Sequence, residues 1–281
     1  MTTDLSWMLE DIVVNVPKAR HAVLLSADGL PRGATDGMAT KDVRTISAAM
    51  AGMQSLSRAT SHFAGPGEDR QWNQTIIEFS HGWIFLIGAG QGAYLAAAAA
   101  PDVDMQQISF RMHRLVARLG NNLTSPPRVN TESPQGRPDG PQGQDEVRGG
   151  TGIPIVDLDG VVGEVRGARH AVLLGSDGLP RGATAGMSQD LADTISAAMT
   201  GIHAYSRATS QFAGVRQDAE WRQTVIEFQH GWIFLISAGH GAFLAAAAEH
   251  DADIEEFTTR LHQVVPRLSA YVASRGQVSN A

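Results

Sequence analysis

The chain contains no cysteine, and this absence excludes disulfide bonds, thiolate zinc sites and a cysteine nucleophile. It also lacks the excess of basic residues that sequence-independent binding to nucleic acid requires, because its formal net charge is −7. No apolar run approaches the roughly 18–20 residues that cross a bilayer, and the first residues do not form a basic, apolar leader. We therefore expect a cytoplasmic protein with neither membrane insertion nor a nucleic-acid partner.

One segment of the chain is present twice. Residues 75–87 read Thr-Ile-Ile-Glu-Phe-Ser-His-Gly-Trp-Ile-Phe-Leu-Ile, and residues 224–236 repeat them with two changes. In each copy, β-branched and aromatic residues flank a His-Gly pair, which predicts a β-hairpin. The other recognisable features recur at the same offset of 149 residues, so the chain contains two copies of one domain.

The composition between the copies sets the predicted domain boundaries. Proline, glycine and glutamine dominate there, which is typical of a disordered linker. The second copy begins with glycines at 160 and 163, and these predict a shortened first helix. We predict domain 1 at 1–123, a linker at 124–152, domain 2 at 153–273 and a tail at 274–281.

The spacing of apolar residues predicts the elements of each domain. In the first copy these are a helix over 4–16, two strands within 21–35, a long helix over 42–63, the hairpin, a strand over 94–100 and a helix from 102. The alanine run 96–100 fits either state, because alanine favours helices while Gly92 and Pro101 bound it at strand length. We predict a strand there. In the second copy, Pro266 predicts a kink in the last helix.

The long helix of each copy carries small residues on one face. Its apolar stripe predicts packing against the sheet, and few charges lie elsewhere on the helix. Gly52, inside the helix, costs about 1 kcal/mol relative to alanine, which indicates close approach of another backbone. We therefore expect the helix to be buried on both faces. The predicted interdomain or dimer interface comprises Ala48, Gly52, Ser55, Ala59, Ala197, Gly201, Ala204 and Ala208.

The sequence does not offer the residue patterns of common catalytic sites. It contains no Gly-x-Ser-x-Gly, and its ten histidines form no His-Glu-x-x-His group. The glycine-rich loops 88–92 and 237–241 lack the Gly-Lys-Ser/Thr of a phosphate-binding loop, so a tight strand connection is favoured there. We predict a protein that is not an enzyme, with no catalytic residue, cofactor or metal.

The order of these elements resembles the roadblock/dynein light chain superfamily. The similarity is closest to small actinobacterial proteins of this type, over residues 5–120 and 155–270. It rests on four segments of the first copy: 21–30 (HAVLLSADGL), 54–59 (QSLSRA), 78–85 (EFSHGWIF) and 102–104 (DVD). The resemblance implies an α/β fold in which each domain is a five-stranded, mostly antiparallel sheet between a long helix and two shorter helices.

The same resemblance implies a function in signalling. The chain would be a non-enzymatic regulator or scaffold of a small Ras-like GTPase; the alternative is a structural adaptor that tethers other signalling proteins, such as a sensor kinase, without GTPase contact. Members of this family dimerise through the long helix, so the duplication predicts an intramolecular pseudo-dimer of helices 42–63 and 191–212.

Two equivalent arginines are candidate partner contacts in this reading. Arg58 and Arg207 lie within the small-residue helices, where they would touch a GTPase or act as a catalytic arginine. A structural salt bridge or helix-end contact is the favoured alternative for both.

Overall fold

The computed structural model describes residues 5–65, 71–90, 92–120, 158–163, 165–214 and 220–278. The predicted linker 124–152 lies outside these ranges. The part of the tail that is described, 274–278, belongs to the last helix, which ends at Val278. No helix among the described residues has both the length and the apolar character needed to cross a membrane.

The first repeat forms the elements that its sequence predicts, except that the long helix ends at Ala59 and Ser61–Ala64 form a separate short helix. The alanine run is a strand, which confirms the prediction. This strand lies in the middle of a five-stranded sheet that has a layer of helices on each face. Alanine fits this position since its small side chain lets both helical layers approach. The elements are α1 (Ser6–Asn15), β1 (Ala19–Ser26), β2 (Pro31–Ala34), α2 (Thr40–Ala59), α3 (Ser61–Ala64), β3 (Trp72–Phe79), β4 (Gly82–Gly88), β5 (Ala93–Ala99) and α4 (Met105–Gly120).

The second repeat follows the same plan with three differences in its helices, of which the first is that residues 210–213, equivalent to α3, form a turn. Its first helix has 4 residues, where α1 has 10, and its last helix has 25, where α4 has 16. Pro266 lies inside that last helix. The elements are α5 (Asp159–Val162), β6 (Ala168–Gly175), β7 (Pro180–Ala183), α6 (Gln189–Ala208), β8 (Trp221–Phe228), β9 (Gly231–Gly239), β10 (Ala242–Glu249) and α7 (Ile254–Val278).

The two five-stranded sheets join into one sheet of ten antiparallel strands. Their order is β2-β1-β5-β4-β3-β8-β9-β10-β6-β7, so β3 and β8 meet at the centre. Ile76 pairs with Val225, its equivalent in the other repeat, and this register places a pseudo-twofold axis between these two residues. In an isolated repeat, β3 or β8 would be an exposed sheet edge, and in the chain each of these two strands covers the other.

The hydrophobic core on one face of the sheet is shared by both repeats. A single buried cluster contains Met50 and Phe63 of the first repeat together with Met199 and Phe228 of the second, beneath α2 and α6. On the other face each repeat has its own cluster, under α1 and α4 in one and under α5 and α7 in the other. The predicted α/β fold of two similar domains is thus confirmed, and its two halves are packed as one unit.

Candidate functional site

The two long helices pack beside each other through reciprocal contacts at glycine. A Cβ atom added to Gly52 would lie 2.5 Å from Cζ of Tyr205, and one added to Gly201 would lie 2.6 Å from Cδ1 of Leu56. Leu56 and Tyr205 occupy equivalent positions in the two repeats. Each helix therefore places one large side chain over the glycine of the other, which is why glycine is present inside both helices.

The other small residues of the predicted interface are exposed. Three positions in each helix are exposed rather than buried against a second helix. The reason is geometric: α2 and α6 lie side by side on the sheet, so they touch along their flanks, and their outward faces remain open. The exposed positions are Ala48, Ser55, Ala59, Ala197, Ala204 and Ala208.

Polar side chains cross between the repeats at the central strand pair. Glu78 accepts a hydrogen bond from Nε2 of Gln223 at 2.7 Å and forms a 3.2 Å ion pair with Nη1 of Arg222. Its equivalent, Glu227, accepts from the amide groups of Gln74 and Asn73 instead. The ion pair contributes little to stability because Arg222 is largely exposed. The hydrogen bonds of the half-buried carboxylates of Glu78 and Glu227 nevertheless favour this register of β3 and β8.

Each repeat also inserts groups into the other at the ends of the long helices. The ring of Phe63 stacks on His170 of the second repeat, and Phe212 stacks on His21 of the first, with centroids 6.3 Å apart in both pairs. Burial lowers the pKa of both histidines below the usual value. A neutral histidine ring of one repeat therefore packs on a phenylalanine ring of the other at two equivalent places.

The glycine of the repeated His-Gly pair is explained by the same junction. Contrary to the prediction, it does not lie in the turn: Gly82 is the first residue of β4 and pairs with Phe79, so the turn residues are Ser80 and His81. A Cβ atom at Gly82 would lie 2.5 Å from the carbonyl oxygen of Ala99 in the same repeat and 3.0 Å from that of Ala213 in the other repeat. Glycine is therefore required here by close backbone approach across the junction.

The two candidate arginines are exposed near the ends of their helices. Among the described residues, neither Arg58 nor Arg207 forms an ion pair, so the favoured salt-bridge interpretation has no partner within this part of the chain. Arg58 lines a pocket together with Tyr94 and the glycine-rich segment that begins at Gly88. The sequence alone does not connect this arginine with this loop, because about 30 positions separate them along the chain.

The described residues contain no group of three or more histidine, aspartate or glutamate side chains placed to hold a metal ion.

His203 makes the second repeat sensitive to acid. Its ring lies between Trp221 and Phe243, at centroid distances of 4.6 and 4.2 Å. Burial, followed by the charge of Arg207, lowers the pKa of His203 to about 4. Because the unfolded chain binds a proton near pH 6.5 and the folded chain does not, stability is present above pH 6.5 and declines as the pH falls towards 4.

We expect His203→Gln, which introduces the residue at the equivalent position of the first repeat, to flatten this decline. Denaturant unfolding at pH 7.5 and at pH 5 measures the decline. Between these two pH values the native chain should lose more free energy of unfolding than the variant, with a difference of at most about 2 kcal/mol. Partial exposure of the ring makes the difference smaller than this upper limit. His21 and His170 titrate in the same direction, so a smaller slope should remain. Equal declines in the two proteins would show that His203 is not held neutral.

Comparison with known proteins gives matches for both repeats. A model of the family described as Roadblock/LC7 domain matches residues 5–99 and 154–248. A crystal structure of a Roadblock/LC7 domain from Streptomyces avermitilis is 28% identical, covering 44% of this chain and 100% of that chain, with a TM-score of 0.40. MglB from Myxococcus xanthus is 11% identical over 43% of this chain and 84% of its own, with a TM-score of 0.34. MglC from the same organism is 17% identical over 41% and 94%, with a TM-score of 0.28. A comparison with curated proteins gave no significant match.

Proposed function

Because the chain belongs to the Roadblock/LC7 domain family, we propose that it is a non-enzymatic regulator or scaffold of a small Ras-like GTPase. It would act through the intramolecular pseudo-dimer of its two repeats. The observation that carries this proposal is the outward surface of α2 and α6, which exists as one surface only when the repeats are paired.

The composition of this helical surface supports protein binding. Small exposed residues such as Ala48 and Ala197 leave the helix backbones accessible, so a flat partner surface can approach closely. Three larger side chains are sequence neighbours of exposed small residues in the same helices: Tyr205, which is 36% exposed, Arg58 and Arg207. Tyrosine and arginine are enriched among the residues that contribute most to protein interfaces.

Binding to a purified small Ras-like GTPase tests the proposal. The full chain should bind at least one such GTPase from its own genome, loaded with GDP or with a non-hydrolysable GTP analogue. The double variant Ala48→Glu, Ala197→Glu should weaken binding at least tenfold, because two desolvated charges oppose association. Thr259→Glu, on α7 at the opposite face of the sheet, is the matched control. Absence of binding in both nucleotide states would leave the adaptor role, including a sensor kinase partner.

The two arginines should not act as catalytic arginines for the GTPase. We expect Arg58→Ala and Arg207→Ala to leave any stimulated GTP hydrolysis within a few-fold in single-turnover assays. An arginine finger is worth about 10³–10⁵ in rate. A loss of that size in either variant would show that the chain supplies a catalytic residue to the GTPase.

A further inference from the structure

The first repeat contains an open pocket that the pairing of the repeats does not use. Its volume is about 390 Å³, within the range of small-molecule sites, and it lies between the end of α2 and the turn that joins β4 to β5. We propose that this pocket binds a small organic oxyanion, meaning a phosphate or carboxylate group carried on a short apolar body. This site goes beyond the GTPase proposal and does not depend on it.

The charge of the pocket lining favours an anion. Arg58 lies in the last turn of α2 and is exposed, and it forms no ion pair among the described residues. The neutral amides of Gln54 and Gln71 line the same pocket, and among the described residues no carboxylate lines it. A guanidinium group offers parallel N–H donors that match phosphate and carboxylate oxygens. The described part of the lining is thus net positive, although the whole chain carries a net charge of −7.

Glycines leave the main chain accessible along one side of the pocket. Gly88, Gly90 and Gly92 all line it, and a Cβ atom added to Gly90 would meet no other atom within 4 Å. At Gly88 such an atom would meet only Cζ3 of Trp72, at 4.0 Å. Packing therefore does not require glycine at these two positions, although the φ of +76° at Gly90 favours glycine for the turn itself. Bare turn backbone of this kind provides N–H groups to anions.

Two aromatic residues form part of the pocket wall. The rings of Trp72 and Tyr94 meet edge to face with centroids 5.7 Å apart, and both side chains are less than 10% exposed. Their buried faces are unavailable for stacking on a ligand. The wall instead offers a narrow apolar contact, which suits a small body attached to the charged group better than a free inorganic ion.

The equivalent position in the second repeat keeps the arginine, the tryptophan and two of the three glycines, but other lining residues differ. His203 replaces Gln54 and packs between two rings, and Glu220 replaces Gln71 with a negative charge. Ser237 replaces Gly88. The second glycine turn is also approached by α7, since a Cβ atom at Gly239 would lie 2.5 Å from Oγ of Ser269. The chain therefore carries a matched control for the site within itself.

Titration of the full chain followed by ¹H–¹⁵N NMR tests the site. The probes are phenyl phosphate, benzoate, inorganic phosphate and uncharged benzyl alcohol. We expect saturable shifts of the Gly88 and Gly92 amides with phenyl phosphate or benzoate. Arg58→Gln should weaken this binding at least tenfold, whereas Arg207→Gln should change it less than twofold. Gln71→Glu, which introduces the residue of the second repeat, should also weaken it and serves as a second variant.

The relative affinities of the probes distinguish the two sources of the charge. Tighter binding of phenyl phosphate identifies an organic phosphate as the ligand class, and tighter binding of benzoate identifies a carboxylate. The proposal is overturned if neither charged probe saturates, if benzyl alcohol or inorganic phosphate binds as tightly as both, or if Arg58→Gln and Arg207→Gln have equal effects. GTPase binding is measured separately, so either result can fail without the other.

Discussion

Replacing Phe63 with alanine is expected to lower the free energy of unfolding by about 3–5 kcal/mol. The Phe63 side chain has no exposed surface and belongs to the core shared by both repeats. It lies in α3, which packs against β9 and β10 of the other repeat, and its ring stacks on His170. The substitution would leave a cavity at the junction itself, which neither repeat can close alone.

Urea unfolding measures this loss, with Phe110→Ala as the matched control. Phe110 is 64% exposed on α4, so its truncation should change the free energy by less than about 0.5 kcal/mol. Phe212→Ala, at the equivalent position of the second repeat, should cost as much as Phe63→Ala. A small effect in both core variants would mean that α3 and its counterpart do not hold the repeats together.

Gly52→Leu should overpack the contact between the two long helices and cost about 1–3 kcal/mol. The Cβ atom alone would lie 2.5 Å from the ring of Tyr205, so the ring or the helix must move. Because the contact is reciprocal, Gly201→Leu against Leu56 should have a similar effect. Thermal unfolding reports the change as a lower midpoint.

The double variant Gly52→Leu, Tyr205→Ala separates overpacking from the helix propensity of glycine. Removal of the ring vacates the space that the leucine needs, so the double variant should recover most of the lost stability. Ala48→Leu, at an exposed position of the same helix, is the control and should leave the midpoint unchanged. An unchanged midpoint in Gly52→Leu itself would show that this flank of α2 faces solvent.

The repeated elements could be predicted from the sequence because their signals are local. The β-branched runs on either side of the His-Gly pair define β3 and β4, although the turn lies one residue earlier than predicted, and the bounded alanine run defines β5. Glycine inside α2 and α6 predicted the close approach of another backbone, and the structure places a large side chain, not a backbone, against each of these two glycines.

The arrangement of the long helices could not be predicted in the same way. Periodicity shows which residues share a face of α2, but it does not show whether another helix stacks on that face or lies beside it. Ala48, Ser55 and Ala59 share a face with Gly52 and yet remain exposed, because the contact runs along the flank that carries Leu56. Small size alone therefore did not distinguish a buried contact from an open surface.

The pairing of β3 with β8 and the pocket at Arg58 depend on long-range contacts. A signal for the first was present in the polar residues Gln74 and Glu78 of β3, but their partners lie in the second repeat. The pocket is lined by residues of α2 and of the turn that follows β4. Its uncharged glutamines are distinctive only in comparison with the histidine and glutamate at the equivalent positions of the second repeat.

The central claim is that the two repeats pair within one chain, and the mass in solution tests it most directly. The repeats contact each other through the pairing of β3 with β8 and through the shared core beneath α2 and α6. Because both repeats belong to one chain, their effective concentration is on the order of millimolar, which favours pairing within the chain. Light scattering at micromolar concentration should therefore give the mass of one chain, 29.9 kDa. A stable mass of about 60 kDa would contradict the account, because it would show that the repeats pair between chains.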